Sequence, residues 1–230
     1  MTARNVGVVI VAGGSGARVG GEELKQFRWI AGKPMLLHSL QTFMAHPRVI
    51  AVVCVLPMRY AGDPPPWIFQ CDVDRLLVSV GGRTRTESVS NGLDDLADEA
   101  DIVLVHDAAR PFIDTATIDR VIEGVEQRGP TVAALPVVDT LKEVDAGQRV
   151  VRTVDRANLW RAQTPQGFPR QLIVDVHREA RTRHLTATDD AALCEQLGHA
   201  VSVVRGHERA MKITEPGDFA RAEALFPLQP

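Results

Sequence analysis

Apolar positions in this chain fall into two kinds of run. Short, continuous ones occupy residues 6–12, 49–56, 76–80, 102–106, 131–136 and 201–204. Continuous rather than alternating hydrophobicity is the pattern of strands covered on both faces. Longer amphipathic stretches at 34–45, 86–96, 115–127, 170–183, 189–197 and 215–225 predict the intervening helices. Pro34 and Pro216 suit a first helical turn, and Thr115 suits a cap. This βαβα order predicts an α/β fold with a mostly parallel sheet and helices on both faces, residues 1–230 forming a single domain.

One segment departs from the alternation. Between residues 137 and 156 two β-prone runs, 140–144 and 149–154, flank Asp145-Ala146-Gly147-Gln148, which is the signature of an inserted hairpin. Such an arm has little core of its own and is expected to pack against a second copy of the chain. The alternative is a hairpin folded back on its own domain. Gly62-Asp63-Pro64-Pro65-Pro66 reads as a stiff surface loop.

Bulk properties narrow the function classes. The 45% apolar content supports a substantial core, while the net charge of −3 disfavours nucleic acid or an acidic membrane as partner. No stretch has the make-up of a signal peptide, and none nears the ~18 apolar residues of a membrane span. Cys54, Cys71 and Cys194 are odd in number and widely spaced, so they are expected to be reduced thiols of a cytoplasmic protein, with Cys54 in the core.

Chemistry concentrates where predicted strands end. The first strand runs into Ala12-Gly13-Gly14-Ser15-Gly16-Ala17-Arg18, with Lys25 seven residues later. A loop without large side chains lets backbone N–H groups approach a polyphosphate, and the two cations supply countercharge. No Gly-Lys-Ser/Thr follows, and Gly-x-Gly-x-x-Gly cannot be placed, so this is neither a P-loop nor a dinucleotide fingerprint. It points to nucleotidyl transfer rather than hydrolysis or redox work.

A second cluster, Gly81-Gly82-Arg83-Thr84-Arg85-Thr86-Glu87-Ser88, suits a base, ribose or phosphate, or is a solvated turn. In a third, His106-Asp107-Ala108-Ala109-Arg110-Pro111, the carboxylate suits a divalent cation or a sugar hydroxyl, and Arg110 can meet a phosphate bidentately. His106 itself reads as a structural histidine bonded to backbone. Thr188-Asp189-Asp190 alone reads as a helix cap, and Lys212 as a site or surface lysine. No Ser-His-Asp order and no nucleophile elbow is present. The set is rich in cations and poor in bases, as suits displacement at phosphorus by a nucleophile that is already anionic.

Taken in order, residues 12–18, Lys25-Gln26, 81–88, 105–111, 136–140, Asp155-Arg156, Leu159-Trp160, Thr164-Pro165-Gln166, Thr188-Asp189 and Lys212 resemble the 2-C-methyl-D-erythritol 4-phosphate cytidylyltransferase family over nearly the full chain. The resemblance implies a Rossmann-like nucleotidyltransferase fold and a homodimer joined by the hairpin arm. It also implies transfer of the cytidylyl group of CTP to 2-C-methyl-D-erythritol 4-phosphate, with Mg²⁺ on the triphosphate, in non-mevalonate isoprenoid biosynthesis. Carried over by position, Ala12, Gly13, Gly14, Ser15 and Gly16 wrap the CTP phosphates, and Arg18 and Lys25 are the catalytic cations. Gly82, Arg85 and Ser88 read cytosine and ribose, and Asp107 lies near the ribose and the metal. Arg156 and Lys212 hold the acceptor phosphate with Thr140 and Thr164, and Arg110 and Thr188 complete the substrate contacts.

Two departures from the family pattern stand out. Leu24 replaces the usual proline before the lysine, which predicts a looser loop there, and Val11-Ala12-Gly13-Gly14 replaces Pro-Ala-Ala-Gly. The rival readings are a ribitol-5-phosphate cytidylyltransferase, differing in the acceptor pocket, and a CTP-binding regulator without catalysis. The joint presence of Arg18, Lys25, Arg156 and Lys212 argues against the latter.

Overall fold

The computed structural model describes residues 4–14 and 24–226. In chain order the elements are β1 (Val6–Val11), β2 (Trp29–Ile30), β3 (Lys33–Pro34), α1 (Met35–Ala45), β4 (Val49–Leu56) and α2 (Met58–Ala61). There follow β5 (Leu76–Val80), α3 (Arg85–Asp94), β6 (Ile102–Asp107), α4 (Thr115–Arg128) and β7 (Thr131–Pro136). The remainder comprises β8 (Leu141–Val144), β9 (Val150–Val154), β10 (Trp160–Pro169), α5 (Arg170–Arg183), α6 (Asp190–Gln196), β11 (Ser202–Arg205) and α7 (Pro216–Leu225).

Seven strands form one sheet in the order β11-β7-β10-β6-β1-β4-β5. All neighbours pair in parallel except β10, which runs antiparallel to both β6 and β7. The period-2 geometry of a strand explains the two-sided core. Val8 and Ile10 of β1 point to the layer of α1 and α4, while Val9 points to that of α3, α5 and α6. Both layers are apolar, so the strands read as unbroken hydrophobic runs.

The expected parallel strands and the six expected helices are all present. β4, β5 and β7 keep their expected ends, β6 runs one residue further to include Asp107, and β11 starts one residue later. Capping differs at α4. Asp114, not Thr115, takes the cap position, and its Oδ1 accepts from Thr117 N at 2.7 Å. Pro34 precedes α1 as its cap, while Pro216 opens α7 as expected. The proline loop is shorter than expected, because Pro66 already begins a 3₁₀ turn that buries Ile68.

β10 has no counterpart in the expected elements. Its sequence, WRAQTPQGFP, has neither alternation nor an apolar run, yet from Gln163 to Phe168 it is buried. The hairpin is present as β8 and β9, which pair only with each other. Its turn is closed by Asp145, whose Oδ1 accepts from Gly147 N and Arg149 N at 2.9 Å each. The two strands are almost wholly exposed, so the arm is not folded back on its own domain. Cys54 and Cys194 are buried, and no cysteine is in a disulfide. Among the described residues no helix is long and apolar enough to cross a membrane.

Phe168 ties β10 to the layer under α5, where it is fully buried. Replacing it with alanine removes that packing and leaves a cavity. Phe168→Ala is expected to lower unfolding free energy by about 3–5 kcal/mol, read from denaturant unfolding of wild type and variant.

Candidate active site

In an open α/β sheet, ligands bind beyond the carboxyl ends of the strands, where the strand order reverses direction. Here the chain proceeds from β1 outward to β4 and β5, then returns to β6 on the other side of β1. At that reversal lies a cavity of about 530 Å³, walled by the ends of β1 and β6, the turn into α3 and the segment after β11.

Each wall is held by its own local logic. After β1, Ala12 N bonds Val55 O, and the buried Gln26 side chain donates to the carbonyls of Ala12 (2.5 Å) and Gly14 (3.2 Å). Gly13 and Gly81 approach closely, with a Cβ on Gly81 meeting Gly13 Cα at 3.3 Å and Leu56 O at 3.1 Å. In the second wall Thr84 caps α3 by accepting from Glu87 N. Ser88 Oγ donates to Thr84 O at 2.9 Å and accepts from Gly82 N at 3.1 Å. Gly82 must lack a side chain, since its Cβ would lie 2.3 Å from Glu87 Cβ. The last wall is anchored by Ile213 N to Ala109 O, and Lys25 Nζ donates to Ile213 O at 2.7 Å.

Asp107 occupies the floor. Arg85 Nε donates to its Oδ1 at 3.1 Å, and Lys212 Nζ to its Oδ2 at 2.7 Å. Burial alone would raise this carboxyl, but Arg85 and Lys212 hold it well below the usual carboxylate range. Arg85 is pulled down by burial and raised more strongly by Asp190 and Asp107, so it stays charged. Beneath the floor His106 is fully buried, its Nε2 against Arg110 O (3.1 Å) and its Nδ1 against Thr164 Oγ1 (3.0 Å). It bonds backbone, as a structural histidine does, and burial lowers it to about 4.

Of the residues singled out in the sequence, Ala12, Gly13, Gly14, Lys25, Gly82, Arg85, Ser88, Asp107 and Lys212 line this one cavity. Ser15, Gly16 and Arg18 lie outside the described residues. Arg110, Thr140, Arg156, Thr164 and Thr188 do not line it. Arg110 faces away from any phosphate there, its guanidinium donating to Ala210 O (2.7 Å) and Ala162 O (3.3 Å), so it braces β10 against the segment carrying Lys212. Thr164 is buried, and its hydroxyl accepts from Asp107 N (3.1 Å). Thr140 is exposed beside the hairpin, Thr188 is exposed ahead of α6, and Arg156 donates to Val138 O.

Asp189 caps α6 as expected, accepting from Ala192 N at 2.9 Å, but Asp190 is more than a cap. It is fully buried, and its Oδ2 accepts from Arg85 Nη1 at 2.7 Å. Only one of two adjacent acids can cap a helix, and that surplus carboxylate was the available signal. Gln166 was likewise missed as a support: it donates to Asp189 Oδ2 (2.8 Å) and accepts from the backbone N–H groups of Asp190 and Ala191.

A family model described as 2-C-methyl-D-erythritol 4-phosphate cytidylyltransferase matches residues 6–227. A 2-C-methyl-D-erythritol 4-phosphate cytidylyltransferase from Ralstonia nicotianae is 43% identical, the match covering 95% of this chain and 90% of that protein. A bifunctional enzyme IspD/IspF from Rhodopseudomonas palustris is also 43% identical over 96% of this chain, which spans only 56% of that longer relative. A crystal structure of 2-C-methyl-D-erythritol 4-phosphate cytidylyltransferase from Thermus thermophilus superposes with a TM-score of 0.80 at 35% identity, covering 97% of this chain and all of that one.

The buried His106 makes stability pH-dependent in a defined direction. The folded chain keeps it neutral down to about pH 4, whereas its ordinary value is 6.5. The unfolded chain therefore binds the extra proton in between, and stability falls as pH drops through that window. His38, also lowered by burial, acts in the same sense, while the depressed carboxyls of Asp107 and Asp190 contribute losses only below about pH 4. Without nucleotide, wild type is expected to lose roughly 3 kcal/mol to His106 between pH 6.5 and 4, and His106→Gln to show a flatter profile in denaturant midpoints.

Proposed function

The chain belongs to the 2-C-methyl-D-erythritol 4-phosphate cytidylyltransferase family, and from that premise we propose that it transfers the cytidylyl group of CTP to 2-C-methyl-D-erythritol 4-phosphate. The observation that carries this reading is the convergence of Lys25, Arg85 and Lys212 with the glycine turns on one cavity floored by Asp107. An oxygen of the acceptor phosphate attacks the α-phosphorus of CTP. That P–O bond forms while the bond from the α-phosphorus to the β-bridging oxygen breaks, and pyrophosphate leaves with the electron pair. The nucleophile is already anionic, so no side chain need take a proton. The protein's work is to bring two anions together and to meet the charge that grows in the transition state.

The backbone around Gly13 and Gly14 approaches the phosphates, Lys25 and, by family position, Arg18 take the charge-stabilising role, and Gly82, Arg85 and Ser88 contact nucleoside. Asp107 is the one acidic side chain lining the cavity among the described residues, and its carboxyl stays ionised. It fits as the protein's contribution to Mg²⁺ otherwise held by phosphate oxygens, where the cation would neutralise phosphate charge. Lys212 holds the acceptor phosphate; Arg156 and Thr140 come from the arm, which does not line this chain's own cavity, and would meet that phosphate in the cavity of a second copy. The arm's Val144, Val150 and Val151 are exposed, with no cover from the described residues, which supports a homodimer in which a second copy covers them.

Pyrophosphate release with Mg²⁺ and CTP tests the reading directly. Release is expected with 2-C-methyl-D-erythritol 4-phosphate and not with ribitol 5-phosphate; the reverse would overturn the acceptor. Lys25→Ala should lower kcat about 10²–10³-fold with a small change in CTP affinity, and weakened CTP binding at unchanged kcat would remove Lys25 from the transition state. Arg156→Ala should raise KM for the acceptor and spare CTP, whereas an effect confined to CTP would take the arm out of the acceptor site.

A further inference from the structure

Behind the nucleotide wall, a line of side chains runs from Asp107 and Arg85 to two buried residues that the proposed reaction leaves unused. His177 of α5 is buried, and its Nε2 lies 3.0 Å from Asp190 Oδ1. The other oxygen of Asp190 accepts from Arg85 Nη1 at 2.7 Å, and Arg85 Nε donates to Asp107 Oδ1 at 3.1 Å. A carboxylate only accepts, so the imidazole carries its proton at Nε2.

His177 Nδ1 is buried and has no hydrogen-bond partner among the described residues. A polar atom left so costs stability, and His177 stands on the apolar stripe of α5 with Ile173, Val176 and Ala180. A leucine there would avoid that cost and would leave the fully buried Asp190 Oδ1 without its donor. What the histidine offers that leucine cannot is the N–H aimed at Asp190.

We propose that His177 is a positioning residue for the nucleotide site. By donating to Oδ1 it fixes the rotation of the Asp190 carboxylate and leaves Oδ2 for Arg85. Arg85 then keeps its Nε on Asp107 and its place in the cavity wall. Without the donor, both Asp190 oxygens turn to the guanidinium and draw it away from Asp107. This inference rests on the reading of Arg85 and Asp107 as nucleotide contacts.

The test compares His177→Leu, which removes the donor, with His177→Gln, which keeps an N–H donor. The Kd for Mg²⁺-CTP is measured by calorimetry without acceptor, beside the melting temperature and the acceptor KM. His177→Leu is expected to weaken CTP binding about tenfold with acceptor KM unchanged, and His177→Gln to restore most of the affinity. Wild-type affinity in His177→Leu, or equal losses in both variants, would overturn the proposal. If His177→Leu does not fold, Asp190→Asn is measured the same way: a similar loss supports the relay and wild-type affinity sinks it. Wild-type protein that binds no CTP would refute the functional reading itself, whereas normal CTP binding without turnover would refute only the acceptor assignment.

Discussion

The carboxylate of Asp107 joins segments that are otherwise remote in sequence. It stands at the end of a fully buried strand, where an unpaired charge would cost several kcal/mol. Its partners come from 22 residues upstream, in Arg85, and 105 residues downstream, in Lys212. A third link, donated by its backbone N–H to Thr164 Oγ1, ties it to β10. The charge can be tolerated only when the α3 turn, the β10 strand and the segment after β11 are all in place. The geometry that makes the carboxylate tolerable is thus the geometry that assembles the cavity, and folding and site formation become one event.

β10 is the clearest case of a strand whose composition answers to the site rather than to the sheet. Set between two strands to which it is antiparallel, it buries Gln163, Thr164 and Gln166 in a place where a parallel strand would carry valines. Each polar side chain has a task. Gln163 accepts from His207 N and donates to His207 O, steering the chain toward Lys212. Thr164 sits between His106 and Asp107, and Gln166 receives the first N–H groups of α6. Buried polar groups of this kind add order only when all are satisfied, which couples the three tasks to one another.

This explains which features could be read from the sequence. The parallel strands were legible because burial on both faces leaves an uninterrupted apolar run, and the cavity residues were legible because glycines and cations cluster where those runs end. β10 was not, because its buried positions are polar and their partners lie 23 to 58 residues away or within unrecognised loops. Asp190 reads with its neighbour as a cap, since its side-chain partners, His177 and Arg85, are 13 and 105 residues distant. Arg110 looked like a phosphate ligand because a guanidinium beside a strand end usually is one. Only the fold reveals that backbone carbonyls already occupy it. Local pattern reports burial and backbone need, whereas the assignment of a polar side chain depends on topology.

Leu24 shows how the same constraint can be met by different physics. A leucine in place of proline removes the ring that would fix φ near −65° and suggests a looser approach to Lys25. The backbone at Leu24 nevertheless has φ −61° and ψ 133°, the conformation a proline would impose. The side chain is buried in the main core with Ala12 and Phe27, and Phe27 N closes the turn onto Leu24 O at 2.9 Å. Gln26, next but one, clamps the carbonyls of Ala12 and Gly14 from the same turn. Burial and hydrogen bonding thus supply here the restraint that a pyrrolidine ring would supply through covalent geometry. Lys25, caught between an anchored leucine and an anchored glutamine, is held at the cavity by its neighbours' packing, so the loss of the proline does not entail a loss of preorganisation.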